Sequence, residues 1–123
     1  MHRILIIDDE DDIREIAALS LETVAGWEVM VASSGAQGLA RATTYQPDAI
    51  LLDVMMPGMD GPATFRELQK NPATAHIPVM LLTAKVQATD RSRFADLGVK
   101  AVLVKPFDPM TLSQQVAGIL GWS

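Results

Sequence analysis

Short apolar runs that alternate with helix-period segments constrain this chain more than any other feature. Residues 4–7 (ILII) carry no polar break, the pattern of a strand buried on both faces. Ile13, Ile16, Ala17, Leu21 and Val24 then fall on one helical stripe, which Gly26 stops. Residues 27–32 read as a second strand, and 34–45 as an alanine-rich helix closed by Pro47. Residues 49–53 (AILLD) make a third buried strand, followed by a turn-rich loop, VMMPGMDG. Pro62 suits the first turn of a helix that runs to Lys70. Residues 78–83 (PVMLLT) give strand four, 87–97 a helix ended by Gly98, and 100–104 strand five. Asp108 is placed to cap, and Pro109 to open, a last helix with Leu112, Val116, Ile119 and Leu120 on its apolar stripe.

Parallel strands need crossover helices, so five strands alternating with five helices predict a parallel sheet covered on both faces. The crossovers should be right-handed. At 123 residues the chain is expected to form a single domain. Periodicity alone does not decide the strand order. Ligands of such sheets bind beyond the carboxyl ends of the strands, which says where to look.

Composition removes several kinds of chemistry. With no cysteine there is no disulfide, thiolate nucleophile or cysteine-ligated metal, and His2 and His76 are too few for a multi-histidine site. Fifteen acidic against 10 basic residues give a net charge of −5, which argues against direct contact with nucleic acid or an anionic membrane. No apolar run nears the ~20 residues of a spanning helix, and the opening MHRILIIDDE lacks a signal-peptide core.

The strand ends hold the informative residues. Asp8, Asp9 and Glu10 follow strand one, Asp53 ends strand three, Thr83 ends strand four and Lys105 follows strand five. Convergent carboxylates suit a hard divalent cation such as Mg²⁺, which takes oxygen ligands and keeps waters. A lysine and a hydroxyl facing a carboxylate and Mg²⁺ make a cradle for a phosphoryl group. One of the carboxylates can itself be the nucleophile, giving an aspartyl phosphate. Asp11 and Asp12 have a plainer reading as acids favoured at a helix N-terminus. Met55, Met56 and Met59 read as loop packing.

These segments, ILIIDDE, ASSGAQGL, ILLDVMMPGMDG, PVMLLTAK and KPFDPMTL in that order, resemble the receiver domain of two-component response regulators over essentially the whole chain. The resemblance implies a flavodoxin-like three-layer sandwich of five parallel strands, order 2-1-3-4-5, with five helices. It implies that Asp53 accepts a phosphoryl group from the phosphohistidine of a sensor histidine kinase or a phosphotransfer protein. Asp8 and Asp9 match the acidic pair that holds Mg²⁺, and Asp53 and the backbone carbonyl of Met55 complete the metal's protein ligands. Thr83 matches the hydroxyl, and Lys105 the lysine, that meet the phosphoryl oxygens; a cis peptide is expected before Pro106. Such a domain is a cytoplasmic phosphoacceptor rather than a turnover enzyme. Its output surface would be the face of the fourth helix, fifth strand and fifth helix, here Gln87, Asp90, Arg91, Arg93, Lys100 and parts of 113–118, contacting a downstream protein target.

One position departs from the pattern. Three residues before the lysine, where many receivers carry an aromatic ring, this chain has Val102. Two other readings compete with a phosphorylation switch: a silent module, and an enzyme that either binds flavin or acts as an aspartyl-phosphate phosphatase. A phosphorylation-independent module of the same fold is opposed by the complete set Asp8, Asp9, Asp53, Thr83 and Lys105. A flavin-binding enzyme needs a phosphate-cradling loop after strand one, where DDEDD would repel the phosphate. A haloacid-dehalogenase-type phosphatase would show Asp-x-Asp-x-Thr at its first strand, which Asp8-Asp9-Glu10 does not match.

Overall fold

The computed structural model describes residues 2–84, 93, 94 and 96–122. Five parallel strands, β1 (Arg3–Ile7), β2 (Glu28–Ala32), β3 (Ala49–Asp53), β4 (Val79–Thr83) and β5 (Ala101–Val104), form one sheet in the order β2-β1-β3-β4-β5. Four helices of defined span accompany them: α1 (Asp11–Ala25), α2 (Gly35–Tyr45), α3 (Gly61–Lys70) and α4 (Leu112–Leu120). This is the flavodoxin-like sandwich expected, with four described helices against five. The helix expected over 87–97 lies largely outside the described residues.

The apolar runs behave as their lack of polar breaks requires. Every residue of β3 and β4 is buried, as are Ile4 to Ile7 of β1. Alternate residues feed two separate cores, since successive side chains in a strand point to opposite faces. Leu5, Ile7, Ile50, Leu52, Val79 and Leu81 pack with Ala42 of α2, Phe65 and Leu68 of α3, and Phe94. Ile4, Ile6, Leu51, Met80 and Leu82 pack with Ala17 and Leu21 of α1 and Leu112 and Val116 of α4.

Local chemistry sets the helix ends. Ser34 caps α2 by accepting from the Gln37 N–H at 3.1 Å, and Asp60 caps α3 by accepting from the Ala63 N–H at 2.9 Å. Gly26 and Gly121 adopt the left-handed conformation that ends α1 and α4.

Two local expectations are corrected. The stripe on α1 is narrower than five residues: Ala17 and Leu21 are fully buried, whereas Ile16 and Val24 are 45% and 44% exposed at its margins. The last helix starts later than Pro109. The Asp108 side chain accepts from the Met110 N–H at 2.9 Å, and its carbonyl accepts from the amides of Thr111 and Leu112, both at 3.0 Å. Asp108 therefore closes a local turn of the Asx kind, and the α-helix begins only at Leu112.

An aromatic cluster closes the amino end of the sheet. The His2 ring stacks on Trp122 with centroids 3.8 Å apart, and Trp27 meets Trp122 edge-on at 5.1 Å. Trp27 was expected to begin β2. It instead stands just before the strand, its amide bonded to the Leu21 carbonyl at the end of α1.

Candidate functional site

The carboxyl ends of β1, β3, β4 and β5 deliver the expected groups to one edge. The sheet ladder continues one residue past β1 through the Asp8 N–H to the Ala32 carbonyl at 3.1 Å, so Asp8 is held in line with the strand. Asp53 is the last residue of β3 and lies opposite Leu82 of β4; Thr83 comes one residue further along that neighbouring strand. The Lys105 N–H donates to the Thr83 carbonyl at 2.8 Å, which carries the β4–β5 ladder one step beyond Val104. The Lys105–Pro106 peptide is cis, as expected.

Lys105 ties the carboxylates together. Its Nζ lies 2.8 Å from Asp8 Oδ2, 3.1 Å from Asp53 Oδ1 and 3.7 Å from Glu10 Oε1. Asp8 is fully buried, Asp53 is 2% exposed and Thr83 is 5% exposed. Asp8 Oδ1 accepts from the Glu10 N–H at 2.9 Å, and Asp53 Oδ1 takes a longer contact from the Met55 N–H at 3.4 Å. One oxygen from each of Asp8, Asp9, Glu10 and Asp53 falls within 4.8 Å of the others. Four carboxylates thus face one ammonium.

Burial and this charge pattern together shift Asp53 and Lys105. Burial first, and then the Asp8 charge, push the Asp53 carboxyl up to about 6, although Lys105 pulls the other way. Burial works to lower the Lys105 ammonium, but its hydrogen bonds and charge contacts with Asp8 and Asp53 prevail and hold it above its ordinary value.

The edge also fits a hard cation. Asp9 Oδ1 and Asp53 Oδ2 are shielded from solvent and have no hydrogen-bond partner among the described residues. Buried carboxylate oxygens normally carry a partner, and a divalent ion with oxygen preference supplies one while relieving the repulsion. Met55 sits two residues beyond Asp53 with its side chain 75% exposed, so only its backbone is placed to take part.

Two contacts of the site were not singled out from the sequence. Glu10 reaches toward Lys105, although its position after strand one was noted. Gly61 is the other. Its N–H donates to the Val54 carbonyl at 2.9 Å, and a Cβ there would stand 2.4 Å from the Asp53 carbonyl oxygen and 2.8 Å from Val54 Cα. The second glycine of VMMPGMDG therefore lets α3 start directly against the backbone of Asp53. Val102 is half-buried and packs against the core that contains Phe65 and Phe94. Gln87, Asp90 and Arg91 of the expected output surface lie outside the described residues.

Comparison with known proteins agrees with this geometry. The response regulator receiver domain model matches residues 4–117. The chain is 41% identical over 120 residues to the DNA-binding dual master transcriptional regulator RpaA of Synechocystis sp., covering 98% of this chain and 49% of that protein. It is 42% identical over 118 residues to response regulator PleD of Caulobacter vibrioides, covering 95% of this chain and 26% of that protein. The chain thus spans half or less of the length of these relatives. Among solved structures, chemotaxis protein CheY4 of Vibrio cholerae superposes with a TM-score of 0.90 at 30% identity, covering 97% of this chain and 98% of that one. Fold, strand-end chemistry and sequence agree: the chain belongs to the response regulator receiver domain family.

Proposed function

We propose that Asp53 is the phosphoacceptor of this receiver domain. The observation that carries the reading is Lys105 Nζ lodged between the buried carboxylates of Asp8 and Asp53, beside carboxylate oxygens left without a partner. Asp8, Asp9, Asp53 and the backbone carbonyl of Met55 would hold Mg²⁺. Bound there, the ion supplies charge neutralisation for the incoming phosphoryl oxygens.

The chain's own groups do the rest. Asp53 is kept ionised at neutral pH despite its raised proton affinity, so a carboxylate oxygen is available as nucleophile. A P–O bond forms to Asp53 as the P–N bond of a phosphohistidine breaks, and the departing imidazole nitrogen takes the electron pair. Lys105 exchanges its contact with Asp53 for one with the phosphoryl oxygens, and Thr83 donates its hydroxyl to them. The donor is a sensor histidine kinase or phosphotransfer protein. A downstream protein target reads the result at the face of the expected helix over 87–97, β5 and α4, with Val102 replacing the usual ring.

The net charge of −5 gives this domain no basic footprint for nucleic acid. The reading also takes the 123 residues as one receiver domain working in the cytoplasm, not as a turnover enzyme. Among the described residues no helix is long and apolar enough to cross a membrane.

Intact mass after incubation with Mg²⁺ and acetyl phosphate tests the assignment. One added phosphoryl group is expected in the wild type and none in Asp53→Asn. A gain that survives in the variant overturns it.

A further inference from the structure

Asp9 differs from its neighbours in how it is held. It stands in the middle of the link 8–10, which is neither β1 nor α1, and its buried Oδ1 meets no donor among the described residues. The backbone on either side must therefore aim its carboxylate.

We propose that Arg14 is a positioning residue for this site, fixing Asp9 by pinning the peptide plane that precedes it. The Arg14 guanidinium donates through Nη1 to the Asp8 carbonyl oxygen at 2.7 Å and pairs through Nη2 with Asp11. Its backbone N–H donates to the Glu10 carbonyl at 3.1 Å. One residue in the first turn of α1 thus clasps both ends of the link. The Arg14 side chain is only 17% exposed and its bond to the Asp8 carbonyl is part-buried, whereas the Asp11 carboxylate stands in solvent.

The geometry gives the clasp its effect. A peptide group is planar, so holding the Asp8 carbonyl also holds the Asp9 nitrogen and Cα. The next plane, between Asp9 and Glu10, is held through the Glu10 N–H, which donates to Asp8 Oδ1 at 2.9 Å. With both flanking planes held, the two backbone torsions of Asp9 are set, and with them the direction of its Cα–Cβ bond.

Charge alone makes the opposite prediction. A guanidinium near four carboxylates opposes a divalent cation, so removing it should tighten binding if electrostatics were its only role. A positioning role predicts weaker binding. The inference rests on the receiver reading, because Mg²⁺ is the group that Asp9 would meet.

Mg²⁺ titrations followed by amide chemical shifts in wild type, Arg14→Gln and Arg14→Lys decide between them. Arg14→Gln should bind Mg²⁺ about 10-fold more weakly, as loss of a partner that orients a ligand typically does. Arg14→Lys should recover part of the loss, since an ammonium can reach the Asp8 carbonyl but lacks the fork that also holds Asp11. Without metal, the amides of Asp9 and Glu10 should exchange faster with solvent in both variants. Equal or tighter Mg²⁺ binding by Arg14→Gln overturns the proposal. Should that variant fail to fold, Arg14→Lys decides alone: weaker binding supports the proposal and unchanged binding overturns it. Wild type that binds no Mg²⁺ overturns the receiver chemistry and this inference together, whereas wild-type binding with no loss in either variant overturns the inference only.

Discussion

Replacing Asp53 by asparagine should make the metal-free protein more stable at neutral pH while removing the proposed acceptor. The carboxyl is raised from 3.8 to about 6, first by burial and then by the charge of Asp8. At about 1.36 kcal/mol per pH unit this corresponds to roughly 3 kcal/mol of unfavourable ionisation. The effective dielectric response of a protein site holds the cost to about 2 kcal/mol. That figure already includes the opposing pull of Lys105, and the ammonium keeps its contact with Asp8 at 2.8 Å in the variant. The sign follows from proton counting. Between pH 4 and 6 the folded wild type retains a proton that the unfolded chain has lost, so this group's contribution falls as pH rises through that window. Below pH 4 both states are protonated and the contribution vanishes; above about 6 the full cost persists. Asparagine has no such cost. Urea unfolding in EDTA should therefore give similar stabilities for the two proteins near pH 4. By pH 7 the variant should lead by about 2 kcal/mol, or roughly 8 °C in Tm. A variant that is no more stable at pH 7, with an unchanged pH slope, would refute the claim that burial and the neighbouring Asp8 make ionisation of Asp53 costly in the fold.

Two further outcomes follow from the same geometry. Mg²⁺ should stabilise the wild type, by about 1.4 kcal/mol at ten times its dissociation constant; a thermal scan showing no shift relative to a monovalent salt at matched ionic strength counts against the metal site. Gly61→Ala places a Cβ 2.4 Å from the Asp53 carbonyl oxygen, against backbone that cannot rotate away. It should cost about 1–3 kcal/mol and slow phosphorylation from acetyl phosphate even where the protein remains folded; normal stability together with a normal rate would show that α3 does not need to start there.

How much of this was legible in the sequence depends on the range of the interaction. The unbroken runs at Ile4 to Ile7 and at β3 and β4 announced strands buried on both faces, because no polar residue there would face water. The strand order came only through resemblance, since a crossover of a given length can return to either side of a strand. Asp8, Asp53, Thr83 and Lys105 were legible because topology alone carries strand ends to one edge. Gly61 and Arg14 were not. Their importance lies in backbone contacts, with the Asp53 carbonyl region in one case and the Asp8 carbonyl in the other, and a sequence shows only side chains. The late start of α4 has a similar cause: the Asp108 side chain can serve a turn or a helix cap with the same bond, and the residues alone do not say which.

The aromatic cluster of His2, Trp27 and Trp122 has a spectroscopic consequence. The chain has two tryptophans, and their rings are in edge-on contact at the amino pole of the sheet. Asp53 lies at the opposite pole, a five-residue strand away, or about 17 Å. Intrinsic fluorescence therefore has no indole beside the acceptor to be quenched directly by an ion or a phosphoryl group. Any change in emission on phosphorylation must have travelled through the body of the domain, along the strands or along α1 and α4, and constant emission would mean that the fold insulates one pole from the other. The native indoles thus form a remote gauge of how far a signal at the carboxyl edge propagates, with no label to be introduced.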